Sequence, residues 1–178
     1  MKKVVLIYGS IAGLIAGGML LVTMPLFQNG TLDQENGLLI GYTTMVISLS
    51  LVFFGVKSYR DRYLSGSITF GKAVLAGLMI SLVAAVFYAV AWEICYHTVA
   101  YGYADKMVVS HVEGLKKAGA SEAEIEAGRV KMEAFKTMYE NPVIRFGMTL
   151  MEILPVGVVI TLLSAALLRK QSFLPAEG

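Results

Sequence analysis

The first apolar run of this chain constrains its fold more than any other feature. No charged side chain occurs from Val4 to Phe27. A helix needs about 20 apolar residues to cross the roughly 30 Å hydrocarbon core of a bilayer, and this run is long enough. Three more long apolar runs follow, and none of the four alternates in polarity as membrane β-strands do. We predict four membrane-spanning helices, at about residues 4–27, 38–56, 73–96 and 143–168.

The composition agrees with an all-α integral membrane protein. Hydrophobic residues make up 56% of the chain and charged residues 16%, whereas soluble domains carry about 25% charged residues. Lys2 and Lys3 could begin a cleaved signal peptide, but the apolar run behind them is too long and no small-residue cleavage site follows it. We therefore expect the first helix to stay, and residues 1–178 to form a single membrane domain built as a four-helix bundle.

Basic residues predict which ends of the spans face the cytoplasm, because short cytoplasmic loops are rich in Lys and Arg. One set of loops and ends holds eight basic residues: Lys2, Lys3, Lys57, Arg60, Arg62, Lys72, Arg169 and Lys170. On the opposite side the first loop, QNGTLDQENG, has no basic residue and two acidic ones, Asp33 and Glu35. We predict that both termini are cytoplasmic.

Residues 104–140, between the third and fourth spans, have the pattern of two amphipathic helices. Val108, Val112 and Leu115 recur at helical spacing in the first. Ser121 and Glu124 have capping-box spacing at the start of the second. We predict an extracytoplasmic helical hairpin whose charged residues face solvent.

Small residues recur every fourth position in three of the predicted spans. They allow helix backbones to approach closely, which is how helices associate in lipid. Two interpretations stay open: packing within one bundle, or a stripe that faces a second copy or another membrane protein. The predicted packing positions are Gly9, Gly13 and Gly17 in the first span, Ala73, Gly77, Ser81, Ala85 and Ala89 in the third, and Gly157 in the fourth.

Basic residues also flank the predicted inner ends of the second and third spans. Together with neighbouring tyrosines they have the composition of an interfacial anchor that contacts anionic lipid headgroups. A nucleic-acid patch is the alternative, but topology alone requires cations here, so the lipid bilayer is the predicted partner and nucleic acid is not. The predicted anchor consists of Lys57, Arg60, Arg62 and Lys72.

Three ionisable residues lie within or near the ends of the spans: Glu93, Arg145 and Glu152. A charge inside a bilayer is costly and usually has a partner in the bundle interior. We therefore predict a polar pair or triad in the outer half of the bundle. Pro155 lacks an N–H donor and predicts a helix kink beside Glu152. The cluster is either an interhelical clamp or a site that handles protons or ions.

Other candidates for chemistry are few. Glu93 and His97 are four residues apart and could ligate a metal from one helix face, but His111 is the only other histidine and no clear third ligand remains. No motif of a serine, cysteine or metal-dependent enzyme is present. We therefore predict no enzymatic activity, no cofactor and no metal site.

Two stretches, KSYRDRYLSGSITFGKAVLAGL and ENPVIRFGMTLMEILPVGVVITLLSAALLRK, resemble the bacterial four-helix membrane family catalogued as domain of unknown function 4199. The most specific elements are TFGKA at 69–73, and Glu152, Pro155 and Gly157 in the fourth span. Many relatives have a Pro-Asp pair after the third span, where this chain keeps Asp105 without the proline. The resemblance implies a bacterial inner-membrane protein and implies no activity.

The predicted function is that of a non-enzymatic membrane-organising or protein-interaction component. The alternative is a small proton- or ion-coupled transporter or channel that uses Glu152 with Arg145 and Glu93. The surroundings of Glu152 distinguish the two hypotheses. A transporter requires a water-accessible cavity that reaches this carboxyl group, often beside a broken helix, whereas a scaffold requires a dry, fully paired cluster.

Overall fold

The computed structural model describes residues 1–32, 34–170 and 172–175, and every regular element in them is an α-helix. Asp33 of the predicted first outer loop lies outside the described residues, as does the side chain of Glu35. The helices of the described part are α1 (Lys2–Gln28), α2 (Gln34–Leu49), α3 (Leu51–Tyr63), α4 (Phe70–Thr98), α5 (Tyr103–Lys117), α6 (Glu122–Tyr139) and α7 (Pro142–Leu168).

Four segments of the described chain are long and apolar enough to cross a membrane. They are Lys2–Gln28, Asn36–Tyr63, Phe70–Thr98 and Pro142–Leu168. The predicted all-α architecture with four spans is thereby confirmed. We call the end of the bundle that carries α5 and α6 the hairpin end, and the end where α1 begins and α7 finishes the terminal end.

The second span differs from its prediction, which was one helix over about 38–56. The structure has two helices there, α2 and α3, which meet at Ser50. The Ser50 hydroxyl donates to the Ile47 carbonyl at 2.6 Å, and such bonds compete with the helix ladder and bend helices. α3 also continues past the apolar run, where Lys57 and Asp61 form an i,i+4 ion pair of 2.6 Å that supports the added turn.

The central helix of the bundle is α4, which packs mainly against α1 and α7. It begins after Thr69, whose hydroxyl accepts a hydrogen bond from the Lys72 N–H. Small side chains dominate its buried surface, so that both neighbouring helices can approach its backbone. These buried small residues are Ala73, Ala76, Gly77, Ser81, Ala84, Ala85 and Ala89.

The glycine stripe of α1 lies directly against α4. A Cβ atom added at Gly13 would come within 2.5 Å of the Phe87 Cβ and 2.7 Å of the Ala84 carbonyl oxygen. Equally close approaches, below 3.0 Å, occur at Gly9 and Gly17. All three glycines of this stripe are therefore in close contact with α4.

The stripes of α4 and α7 meet in the same way. A Cβ at Gly77 would lie 2.6 Å from the Thr161 methyl group, and one at Gly157 would lie 2.8 Å from the Ser81 Cβ. All three small-residue stripes thus pack inside one bundle, as the first of the two interpretations has it. The glycines of these stripes are therefore in contact with neighbouring helices of the same chain.

The hairpin of α5 and α6 closes one end of the bundle. Ser121 and Glu124 form the capping box that their spacing indicates. The hydrogen bonds from Ser121 hold the pKa of the Glu124 carboxyl below its usual value. Lys106 on α5 donates to the side chain and backbone carbonyl of Gln28, which ties the hairpin to the end of α1.

Replacing Gly13 by alanine should destabilise the bundle, because the added methyl group meets both a side chain and backbone of α4. We expect the free energy of unfolding in detergent to fall by about 1–3 kcal/mol, the usual cost of overpacking. Gly18→Ala is the matched control, since a Cβ at Gly18 has no atom within 4 Å. Unfolding by sodium dodecyl sulfate, followed by circular dichroism, measures both. Equal stability of the two variants would contradict the close contact.

Candidate functional site

A half-open cavity of about 870 Å³ lies in the hairpin half of the bundle. It is bounded by the spans α1, α2, α4 and α7 and by both helices of the hairpin. Its volume is that of a site for a small molecule, for which about 300–1,000 Å³ is typical. Most of its wall is apolar, including Met19, Leu20, Met24 and Phe27 of α1 and Leu38, Ile40 and Met45 of α2.

The cavity exists because α2 lacks the close backbone contacts that hold the other spans. Gly37 and Gly41 are its glycines, and both line the cavity. A Cβ at Gly41 would have no atom within 4 Å, and one at Gly37 would touch only the ring of Phe27. α2 is held by α1 and, through fewer contacts, by α7. The hairpin half of the second span therefore stands away from α4.

Glu152 of α7 is exposed in this cavity. It is the only acidic side chain among the described residues of the wall. At a rise of 1.5 Å per residue, it lies about 15 Å along α7 from Pro142, close to the middle of the span. Burial, and secondarily the charge of Glu152, raises the pKa of the Tyr103 phenol on α5. An ionisable carboxyl group thus lies at mid-span in the wall of a mostly apolar cavity.

Aromatic rings from three helices surround the cavity beside Glu152. Tyr88 and Trp92 lie one turn apart on α4, and Tyr103 and Tyr139 come from the hairpin. The Trp92 indole N–H donates to the Tyr139 hydroxyl at 2.8 Å, and the Trp92 and Tyr103 ring centroids are 4.9 Å apart. Burial raises the pKa of the Tyr139 phenol as well, so this phenol stays neutral.

Arg145 and Glu93 form a bidentate ion pair that joins α7 to α4. Arg145 Nε donates to Glu93 Oε1 at 2.9 Å and Nη2 donates to Oε2 at 2.6 Å. The third nitrogen, Nη1, donates to the Tyr139 carbonyl at 3.1 Å. The guanidinium also lies over the Tyr96 ring, 3.9 Å from its centroid. With its side chain 1% exposed, Arg145 is a paired, buried charge.

Glu152 takes no part in this ion pair, so of the predicted pair or triad the structure has the pair. Arg145 and Glu152 do share a face of α7, but they differ in depth. Both side chains lean toward the N-terminal, hairpin end of α7, and seven residues of helix keep them about 10 Å apart along the axis. The Arg145 donors are then used by Glu93, Tyr139 and Glu140.

Pro155 lies within α7, which runs as one helix from Pro142 to Leu168. The discontinuity that a transporter would place beside Glu152 therefore does not occur there. The helix break of the described spans is at Ser50, between α2 and α3.

Arg60 does not have the position predicted for a lipid anchor. Its side chain is 0% exposed, and it donates to the carbonyl oxygens of Leu168, Phe173 and Leu174 after the end of α7. The helix C-terminus and the following turn supply carbonyl groups that lack helical partners, and these attract a guanidinium. Of the predicted anchor, Arg62 and Lys72 are exposed and Lys57 is half-buried beside Asp61.

Comparison with known protein families gives one decisive match. A family model described as "Protein of unknown function (DUF4199)" matches residues 7–170. The chain belongs to the DUF4199 family. The match in this DUF4199 protein includes the cavity, the aromatic rings and the Arg145–Glu93 pair, and it confirms the resemblance seen in the sequence. Neither the curated proteins nor the solved structures gave a match.

The sequence interpretation missed the ring cluster of this DUF4199 protein. Tyr88, Trp92 and Tyr96 recur every fourth residue on α4, which is the spacing of one helix face. That spacing was a usable signal for an aromatic surface. The contributions of Tyr103 and Tyr139 come from the hairpin and depend on how it docks.

Removing the acidic partner of Arg145 should be more costly than removing an exposed one. We expect Glu93→Gln to lower the free energy of unfolding by about 3–5 kcal/mol, because a buried charge is left unpaired. The double variant Glu93→Gln/Arg145→Met should recover part of this loss, since both charges are then absent. Glu126→Gln, which breaks the exposed pair with Arg129, is the control. Similar losses for Glu93→Gln and Glu126→Gln would show that the buried pair has no special role.

Proposed function

We propose that this DUF4199 protein resides in the bacterial inner membrane with both termini in the cytoplasm and the hairpin outside. The multi-pass membrane architecture follows from its four apolar spans. The orientation is supported by the eight basic residues of the terminal end, because cytoplasmic loops are enriched in Lys and Arg. The family resemblance supports the bacterial membrane.

Cysteine labelling tests this orientation. The native Cys95 is buried and serves as an unreactive background. Ala118→Cys lies between α5 and α6, and Ser67→Cys lies between α3 and α4, both at exposed positions. In cells with a permeabilised outer membrane, a membrane-impermeant maleimide should label Ala118→Cys and leave Ser67→Cys unlabelled. The reverse pattern would place the hairpin in the cytoplasm.

We also propose that the protein is non-enzymatic and acts as a membrane-organising component that binds an apolar or amphipathic molecule in its cavity. The observation that carries this proposal is the half-open cavity of about 870 Å³ between the spans. A scaffold that served only to pack helices would fill this volume with side chains, since interiors are normally close-packed. The Arg145–Glu93 ion pair joins α7 to α4 as an interhelical clamp and holds these two walls of the cavity together.

A proton- or ion-coupled transporter is the second candidate. It meets the criterion of a cavity that reaches Glu152, whereas the helix beside this residue is unbroken. An ionisable group inside a membrane that reaches an open cavity is what such transporters use. Arg145 and Glu93 are engaged with each other and would not be part of the path. Uptake into proteoliposomes driven by a pH gradient distinguishes a transporter from a binding component.

Filling the cavity should abolish binding of an apolar probe. N-phenyl-1-naphthylamine is neutral, fluoresces in apolar surroundings and accepts energy from tryptophan. Trp92 is the single tryptophan of the chain and lines the cavity, so the saturable part of the energy transfer from it, measured with a tryptophan-free scaffold protein, reports local binding. We expect the transfer in nanodiscs to be lost in Gly41→Phe, whose ring enters the open space beside α2.

Gly18→Phe is the matched control, because Gly18 is exposed and is not part of the cavity wall. This variant should retain energy transfer at the level of the unchanged protein. If Gly41→Phe and Gly18→Phe behave alike, the cavity is not a binding site.

A further inference from the structure

We infer that the cavity selects lipophilic organic cations and holds their positive group between Glu152 and the rings of Tyr88, Trp92, Tyr103 and Tyr139. This inference rests on the proposed binding function and names the ligand class. Three features of the cavity support it: its charge, its rings and its flexible apolar wall.

The charge of Glu152 is not compensated within the described part of the chain. None of the ion pairs there involves this residue. Lys106 and His111 on α5 are the basic side chains of the wall. Lys106 keeps its charge in its hydrogen bonds to the neutral Gln28, and neither basic side chain forms an ion pair with Glu152. Arg145 is paired with Glu93. A carboxylate at mid-membrane is costly without a partner, and the charge of a bound cation removes that cost.

The rings supply a second attraction for the same type of group. A cation over the face of Trp or Tyr is attracted by the ring quadrupole, and this attraction strengthens in desolvated sites. The Trp92–Tyr139 hydrogen bond fixes two of the rings before a ligand arrives. The chain already uses this interaction next to the cavity, where Arg145 lies over Tyr96. Tyr88, Trp92 and Tyr139 are only 7%, 6% and 8% exposed, whereas Tyr103 is half-buried, so Tyr103 offers a ligand the most side-chain surface of the four.

The apolar wall accommodates the rest of the molecule. Methionine side chains are flexible and polarisable, and they adapt to ligands of different shape. The five methionines of the wall come from α1, α2, α5 and α6: Met19, Met24, Met45, Met107 and Met132. The cavity should therefore be selective for charge and tolerant of shape.

Tetraphenylphosphonium and tetraphenylborate test the inference, because they have nearly the same shape and opposite charge. Quenching of Trp92 fluorescence in nanodiscs measures the binding of each to the full-length protein. We expect Glu152→Gln to weaken tetraphenylphosphonium binding about tenfold or more, the loss of an ionic partner in a desolvated site. Glu152→Asp keeps the charge and should restore most of the affinity. Tetraphenylborate should not lose affinity in Glu152→Gln.

The neutral probe separates failure of this inference from failure of the proposed function. N-phenyl-1-naphthylamine should bind Glu152→Gln as well as the unchanged protein, which also shows that this variant is folded. Unchanged tetraphenylphosphonium affinity in Glu152→Gln, with the neutral probe still bound, would overturn the cation selectivity and leave the binding cavity in place. Absence of binding by the neutral probe and by both ions would remove the proposed function as well.

The lipid composition of the nanodiscs identifies the source of the cation. The two kinds of disc contain the same fraction of anionic phosphatidylglycerol, so their surface charge is equal. The remainder is phosphatidylethanolamine, which carries an ammonium group, or a neutral glycolipid, which does not. If tetraphenylphosphonium binds more weakly in the discs that contain phosphatidylethanolamine, and Glu152→Gln removes this difference between the discs, the site belongs to a lipid headgroup. Equal affinity in the two kinds of disc assigns it to a free lipophilic cation, which is the result we expect.

Discussion

The bundle is built on close contact between the backbone of α4 and the backbones of α1 and α7. Lipid tails are as apolar as leucine, so these helices gain little from leaving lipid and associate through tight packing instead. Sites such as Gly13 and Gly77 admit no Cβ atom, because the facing helix is already in contact. The result is a three-helix unit in which α4 is central and its small-residue surface is fully covered.

The second span lies outside this tight unit, and its looser position creates the cavity. Its glycines face open space or a single ring rather than a backbone, and it is interrupted at Ser50 between α2 and α3. Two buried arginines hold the ends of the bundle. Arg145 joins α7 to α4 at the hairpin end, and Arg60 joins α3 to the turn after α7 at the terminal end. The cavity lies between helices that these two arginines hold together at their ends.

The elements that could be predicted from the sequence depend on neighbours along the chain. Span number follows from hydropathy, and the capping box at Ser121 follows from a three-residue spacing.

The candidate site was predicted in part. Arg145 and Glu93 pair because both lie near the hairpin ends of their helices, a level that the span boundaries already indicate. Glu152 was assigned to the same cluster because it shares a helix face with Arg145, but a common face does not imply a common depth. Arg60 was assigned to the lipid surface, although the carbonyl groups that bind it lie more than a hundred residues away in sequence.

An all-α membrane protein with four spans, its closely packed stripes and the start of its hairpin are all predictable from the sequence. These properties arise from hydropathy and local spacing, which act over one or two helical turns. Only the packing of the helices shows that α2 stands off from α4 and that Glu152 faces a cavity rather than Arg145. The same holds for the rings from three helices that line this cavity. A cavity forms where separate helices do not meet. The distance between two such helices cannot be read from the sequence of either one.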